Sequence, residues 1–396
     1  MTTDSLRQNT INLKMLLVLS FGHFATDLCQ SALPAILPIL MAKLALSYTM
    51  AGVIVLVSNI TSSIIQPIFG YISDQKEKPL LLPLGCLAAG LGLSLLAIPD
   101  NYEAVLFLTI FSGLGVASYH PEGFKTARSF TGDNVATGLS VFTVGGNVGL
   151  ALGPLAVTSI VTYFRFEYLP LMLVFSLVFL VLLAVNRRSL SVARNKSVQT
   201  GTPGIRPSKA EYISLGLIIA VVIMRSCTAF GLMAYIPMNY YEKGVPLYAG
   251  TMVSVFLLGG SAGTLLGSPM ADRWGYKRFL IFSMALTSAL FPLIFMTHGF
   301  AQFVALAAVG MALISSFTVT VAMGQNLLPN NLGIASGLMA GFAIGTGGVG
   351  VTILGVVADH FGAPMALKSI MLFPLVGLLV SCFIPYPARR KESPEA

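Results

Sequence analysis

The sequence predicts an all-α integral membrane protein of twelve transmembrane helices in two six-helix bundles. Three observations predict it. The chain has 396 residues, of which 55% are hydrophobic and only 10% charged, with a mean hydropathy of +0.83; soluble domains carry about 25% charged residues. Apolar runs of roughly 20 residues, the length a helix needs to cross a bilayer, recur from end to end. One longer polar stretch, 187–211, divides these runs six and six. No soluble domain fits between them.

Taken in order, the predicted spans are 14–40, 48–70, 80–98, 103–127, 135–160, 166–186, 212–238, 248–270, 278–297, 300–326, 333–357 and 364–385. The first is too long for a signal-peptide core and lacks a small-x-small cleavage site, so it is expected to stay as a helix. The stretch 187–211 contains Pro203, Pro207 and six bases, Arg187, Arg188, Arg194, Lys196, Arg206 and Lys209. The expected organisation is therefore 1–186, a basic linker at 187–211, and 212–396.

Charge sets the orientation. Arg7, Lys14, Lys76, Lys78, Lys125, Arg128, the six linker bases, Arg273, Lys277, Arg278, Arg389, Arg390 and Lys391 fall on one side, 18 of the 23 Lys and Arg. Lys43, Arg165, Lys243 and Lys368 fall on the other, and Arg225 lies inside a span. The positive-inside rule then places both termini and the linker in the cytoplasm. The net charge of +8 reflects these loops and not a nucleic-acid surface. Cys29, Cys86, Cys227 and Cys382 all fall in apolar runs, without disulfide or metal-ligand spacing, and the four histidines do not group as ligands along the chain. No metal, no cofactor and no enzyme activity is expected: there is no nucleophile–base pair and no phosphate-cradling loop.

An internal repeat is visible. Asp74 matches Asp272 at an offset of 198, Gly52 matches Gly250, and Asp27 matches Arg225; Asn134 reaches Asn331 at 197. The halves read as parallel, pseudo-twofold related repeats around a central cleft. Opposite charges would then line that cleft.

The residues that carry chemistry sit within the spans. His23 and Asp27 lie four apart, on one helical face. An ionisable group at membrane depth costs ~2.5–3.5 kcal/mol on insertion scales and by default marks a functional site. Span 4 carries Tyr119-His120-Pro121-Glu122; an intramembrane histidine can relay protons near neutral pH, while Glu122, Lys125 and Arg128 also suit a structural ion-pair cluster. Asp27, His23, His120 and Glu122 are the proton-coupling candidates. An arginine suits a carboxylate or phosphonate in bidentate geometry, so Arg225 is the substrate candidate, with Asp27, Gln30, Tyr119, Phe142, Asn147, Met224 and Tyr235; Gln66 and Gln325 are further candidates to line the cleft. Each suits helix packing equally well. Asp27 and Arg225 are expected either to exchange partners as substrate and proton come and go, or to form a locked pair.

Two motifs narrow the class. The loop after span 8 reads Asp272-Arg273-Trp274-Gly275-Tyr276-Lys277-Arg278, and its first-half copy keeps Gly70 and Asp74 but lacks the Arg and the second Gly. This resembles the cytoplasmic loop motif of the major facilitator superfamily, which implies a conformational latch made of charge and helix-dipole contacts at Gly70, Asp74, Asp272, Arg273, Gly275, Lys277 and Arg278. Span 5 holds Gly145, Gly149 and Gly153 four apart, then Pro154. It resembles the span-5 motif of the superfamily's antiporters, although Val157 and Thr158 stand where the family has a glycine pair. With His23-x3-Asp27-x2-Gln30-Ser31 and His120-Pro121-Glu122, the chain is similar to the fosmidomycin-resistance group. That resemblance implies a monomeric, proton-driven exporter of small drug-like or anionic solutes in the bacterial inner membrane. The alternative is a proton symporter importing a small organic anion; a transport-dead scaffold has less reason to keep titratable residues in its spans.

Overall fold

The computed structural model describes residues 10–46, 48–75, 79–190, 208–241 and 246–386. Most of the basic linker, with Pro203 and Pro207, lies outside the described residues, as do Arg7, Lys76, Lys78, Lys243, Arg389, Arg390 and Lys391. Every regular element among the described residues is helical. Among the described residues ten helices are long and apolar enough to cross a membrane, and each falls on a predicted span. The remaining two predicted spans appear as shorter apolar helices: 80–98 as Leu81–Ala97, and 333–357 as Leu332–Phe342 and Val349–Ala358. The first ends in a 3-10 turn at Leu95–Ala97. The second is interrupted by a π-helix at Gly337–Phe342 and by the glycines at 345, 347 and 348, where helix propensity is low.

Contacts divide the chain into two compact units. The first takes in the described residues up to 190 together with Leu328–Gly345; the second takes in 208 to Leu327 and Thr346 onward. The segment Leu328–Gly345, expected with the second bundle, thus packs with the first.

In the first unit the helices are α1 (Leu13–Leu44), α2 (Tyr48–Asn59), α3 (Gln66–Asp74), α4 (Leu81–Ser94), α5 (Tyr102–Arg128), α6 (Val135–Tyr163) and α7 (Leu173–Val185). A π-helix at Ile60–Ile64 joins α2 to α3. The span at Leu13–Leu37 is 72% buried, against 24% for Val135–Tyr163, so α1 is the enclosed helix and α6 one of its covers. Asn12 starts α1 by accepting the Met15 N–H at 3.1 Å. The span-5 glycines explain how α6 reaches α1. A Cβ on Gly145 would strike the Ser20 carbonyl, one on Gly149 the Phe24 carbonyl, and one on Gly153 the Ser31 hydroxyl and the Leu28 carbonyl. Backbone contact of this kind replaces the hydrophobic driving force that lipid cannot supply. Ser20 Oγ donates to the Val141 carbonyl at 2.9 Å and tightens the same seam. Pro154 sits inside α6 and leaves a carbonyl without its helical partner.

The second unit holds α8 (Lys209–Tyr241), α9 (Pro246–Trp274), α10 (Tyr276–Leu290), α11 (Phe300–Ile314) and α12 (Phe317–Leu327). Between it and the later helices α13 (Leu332–Ser336) belongs to the first unit, while α14 (Gly347–Phe361) and α15 (Leu372–Cys382) return to the second. Glycines again set the approach: Gly259 and Gly263 of α9 face the Ala307 and Met311 carbonyls of α11.

The seam gives a direct test. Gly149→Leu must part α1 from α6, and overpacking of this kind costs ~1–3 kcal/mol. Gly149→Leu is expected to lower the unfolding temperature in detergent, whereas Gly216→Leu, whose Cβ meets nothing within 4 Å, leaves it unchanged. Equal behaviour of the two variants would refute the seam.

Candidate functional site

Two helices of the first unit bring polar side chains to one point, and a third adds a backbone carbonyl. His23 and Asp27 stand one turn apart on α1, and His120 arrives from α5. Asp27 Oδ2 lies 3.3 Å from His23 Nε2, and Asp27 Oδ1 lies 3.0 Å from His120 Nε2. The opposite nitrogens are held by backbone: His23 Nδ1 is 3.1 Å from the Phe142 carbonyl of α6, and His120 Nδ1 is 2.9 Å from the Val116 carbonyl. All three side chains are buried. Among the described residues this is the one group of three His, Cys, Asp or Glu ligand atoms that lie close together, within 4.8 Å of one another. The expectation that the histidines do not group is therefore corrected: residues 23 and 120 are far apart along the chain but their rings are 5.0 Å apart. The donor types would also suit a divalent metal ion.

Aromatic rings wall the trio. Phe142 stacks on the His23 ring at 4.4 Å, and Phe124 meets it edge-on at 5.8 Å. Tyr119 packs beside His23 and His120 and its hydroxyl donates to the Leu19 carbonyl at 2.8 Å. Gly146 completes the wall: a Cβ there would lie 2.5 Å from His23 Nε2 and 2.6 Å from Asp27 Oδ2. Phe124 and Gly146 were not singled out in the sequence. Gly146 adjoins the first of the span-5 glycines, but their spacing says nothing of its contact with the trio. Glu122 is fully buried, and Thr126 Oγ1 donates to its Oε1 at 3.3 Å.

Of the other predicted residues, half-buried Gln30 donates to Ser62 Oγ at 3.3 Å, and Asn147 is half-buried on α6. Gln66 donates to the Ser62 carbonyl at 2.8 Å.

In the second unit Arg225 of α8 is buried. Its Nη1 donates to Thr320 Oγ1 at 3.2 Å, and its guanidinium carbon stands 5.3 Å from the Phe317 ring centroid, a cation–π contact. Nη2 has no hydrogen-bond partner among the described residues. A buried donor left in that state costs ~1–3 kcal/mol, more for a charged group. Thr320 and Phe317 lie on α12, and nothing in the sequence had marked them. Tyr235 and Met224 share α8 with Arg225, but Tyr235 donates to the Val351 carbonyl at 3.1 Å and Met224 packs near Gly377. Gln325 is buried on α12.

The loop motif resolves differently in its two copies. Asp74 ends α3 and accepts the backbone N–H of Gly333 at 2.9 Å and of Ile334 at 3.0 Å. It thereby holds the start of α13, where a helix favours negative charge. Lys125 of α5 pairs with Asp74 at 3.3 Å and donates to the Ser73 carbonyl at 2.6 Å. Gly70 and Gly333 meet backbone to backbone, with no room for a Cβ on either. In the second copy Asp272 accepts the Tyr276 hydroxyl at 2.8 Å, and Gly275, at φ +91°, makes the turn into α10. Lys277 is half-buried, and Arg273 and Arg278 are exposed.

Gly146 supplies the second prediction. In Gly146→Ala the new methyl must push His23 and Asp27 apart, so the variant is expected to be less stable than the parent by ~1–3 kcal/mol. A double-mutant cycle with His23→Ala checks the cause: once that ring is gone most of the cost disappears, a coupling of about 1 kcal/mol or more. An unchanged cost in the His23→Ala background would place the effect elsewhere.

Comparison with known proteins agrees with this architecture. The family model described as Major Facilitator Superfamily matches residues 19–248 and 218–396. The chain is 33% identical over 375 residues to a protein of Bacillus subtilis (strain 168) named uncharacterized MFS-type transporter YfnC, covering 92% of this chain and 91% of that one. It is 31% identical over 381 residues to the fosmidomycin resistance protein of Escherichia coli (strain K12), covering 93% and 91%. Among solved structures, the human organic anion transporter MFSD10 superposes with a TM-score of 0.68 at 15% identity, covering 93% of this chain and 99% of that one. The E. coli transporter FucP in its outward conformation superposes with 0.65 at 15% identity, covering 93% and 98%. With the family model spanning most of its length and two relatives above 30% identity, the chain belongs to the major facilitator superfamily of membrane transporters.

Proposed function

We propose that this transporter is a proton-coupled antiporter that exports small anionic or drug-like solutes by alternating access. The observation that carries the proposal is the buried carboxylate of Asp27 bracketed by two imidazoles. Groups of this kind at membrane depth belong to ion and proton pathways, and histidine changes charge near neutral pH. Arg225 supports the anionic substrate. Its guanidinium is buried, lies on an aromatic ring and keeps one nitrogen unpartnered, and a carboxylate or phosphonate oxygen would complete it. Export is favoured by the glycine face of α6 and by the relative named as a fosmidomycin resistance protein; that name does not make fosmidomycin the substrate here.

The proposal includes twelve spans in two pseudo-twofold bundles, 1–186 and 212–396, joined by the 187–211 linker, in a bacterial cytoplasmic membrane with both termini inside and a single copy as the working unit. The contacts of Asp74 with α13 and Lys125, together with the Asp272 loop, act as the latch of one conformation.

Proteoliposomes test the coupling. An outside-acid gradient is set, a lumenal pH dye is read, and anionic probes including simple phosphonates are added. Wild type is expected to show probe-triggered proton movement, Asp27→Asn none, and Arg225→Lys a loss of ten-fold or more with anionic probes, because a point charge does not replace the planar fork. Full pH-driven flux in Asp27→Asn would sink the assignment of the proton to this carboxylate. Probe uptake in the direction of proton flow would replace the antiporter with a symporter.

A further inference from the structure

We infer that His23, Asp27 and His120 bind a divalent transition-metal ion of the zinc class, which ties α1 to α5. The inference goes beyond the proposed function and does not depend on transport. It replaces the expectation of no metal, because the donor set exists only once α5 packs on α1.

Backbone sets the direction of the donors. His23 Nδ1 stands 3.1 Å from the Phe142 carbonyl, and His120 Nδ1 stands 2.9 Å from the Val116 carbonyl. A carbonyl only accepts, so each Nδ1 carries the proton, and a neutral ring then has a bare lone pair on Nε2. Both lone pairs face Asp27. His23 Nε2 lies 3.3 Å from Oδ2, and His120 Nε2 lies 3.0 Å from Oδ1. An ionised carboxylate also only accepts. Three acceptor groups therefore converge, and among the described residues the buried Oδ1 receives no hydrogen bond. A proton can bridge one nitrogen to one oxygen; a divalent ion meets all three donors at once. Metal-bound histidines commonly give their other N–H to a backbone carbonyl, which fixes the tautomer and the ring plane. Both rings here are held in that way.

The dimensions suit an ion. His23 and Asp27 stand one turn apart on one helical face. Zinc binds nitrogen and carboxylate oxygen at ~2.0–2.2 Å, so donors that share it sit ~3–3.5 Å apart. The two N···O separations already fit, and the group as a whole, within 4.8 Å, needs to close by about 1 Å. Phe142 stacked on the His23 ring steadies one ligand. Gly146 leaves His23 Nε2 and Asp27 Oδ2 uncovered on the α6 side, where a Cβ would lie 2.5 and 2.6 Å from them. Asp27 and His120 keep 7% and 8% of their side chains exposed, which gives an ion its way in. Two nitrogens and one carboxylate select zinc, cobalt or nickel over calcium and magnesium, which take oxygen donors. Three protein donors leave one tetrahedral position for water.

The test uses full-length, tag-free protein in detergent, stripped with chelator and dialysed. Zn²⁺ and Co²⁺ are the probes, read by equilibrium binding, visible absorption and X-ray absorption at the metal edge. One ion per chain is expected, in a shell of two imidazoles with oxygen and no sulfur. His23→Gln, Asp27→Asn and His120→Gln are each expected to weaken binding by ~100-fold or more, since an outer-shell partner alone is worth ~10–100-fold. His298→Gln/His360→Gln, which removes the two exposed histidines, leaves it unchanged. Zn²⁺ raises the unfolding temperature of the parent and not of Asp27→Asn. His120→Cys guards against loss by misfolding: it is expected to keep the ion and add one sulfur at ~2.3 Å. A sulfur-free shell in that variant would overturn the inference. So would a parent that retains no ion, or an ion kept by all three glutamine and asparagine variants. An ion bound by a protein that moves no protons upholds the inference and removes the proposed function; proton movement in a protein that binds no ion does the reverse.

Discussion

The structure of the first unit depends on one constraint: a carboxylate in the interior of a transmembrane helix must find its partners inside the protein. Water is not there to supply them, and an unpaired charge at such depth is costly. Asp27 meets the constraint with two histidines, one from its own helix and one from α5. The histidines in turn need acceptors and take them from backbone carbonyls of α5 and α6. The carbonyl of Phe142 is in reach only because α6 lies against α1 along Gly145, Gly149 and Gly153, and the pair fits only because position 146 has no side chain. The packing motif and the polar site are therefore one arrangement. The glycines that let the helices touch also let a charged group survive between them.

The second unit shows the complementary solution. Arg225 occupies the position that the 198-residue offset pairs with Asp27, but it has no comparable cage. One hydroxyl and one aromatic face support the guanidinium, and a donor remains over. A buried donor left without a partner is costly. The two sites thus differ in more than the sign of the charge. One unit closes its polar groups upon one another and upon backbone carbonyls, and the other leaves a hydrogen bond open.

Much of this was legible in the sequence, for reasons that can be stated residue by residue. Hydropathy and run length mark the spans because the bilayer imposes a fixed length on any helix that crosses it. The turn from His23 to Asp27 was readable because spacing of four puts both on one face. The glycines of α6 were readable as a seam because a four-residue repeat of small residues has one geometric use. What escaped was what only tertiary contact decides. Nothing local ties His120 to residue 27. Thr320 and Phe317 look like any residues of an apolar helix until Arg225 lies across them. The interruption of 333–357 by a π-helix was also hidden, since a π turn depends on packing that single-residue propensity does not encode.

The helix α5 connects these themes. It carries His120 of the trio and, five residues on, Lys125, which pairs with Asp74 at the start of α13. At 1.5 Å rise per residue the two lie about 7.5 Å apart along the axis. Pro121 sits between them, where the missing N–H permits a bend. His120 through its contact with Asp27, and Tyr119 through its bond to the Leu19 carbonyl, tie α5 to α1 at that level. The same helix then meets the Asp74 contact through Lys125. Transmission of this kind requires an element with two discrete arrangements that both sites bias. A helix that holds a proline between His120, in contact with Asp27, and Lys125, paired with Asp74, links the two contacts within its own unit.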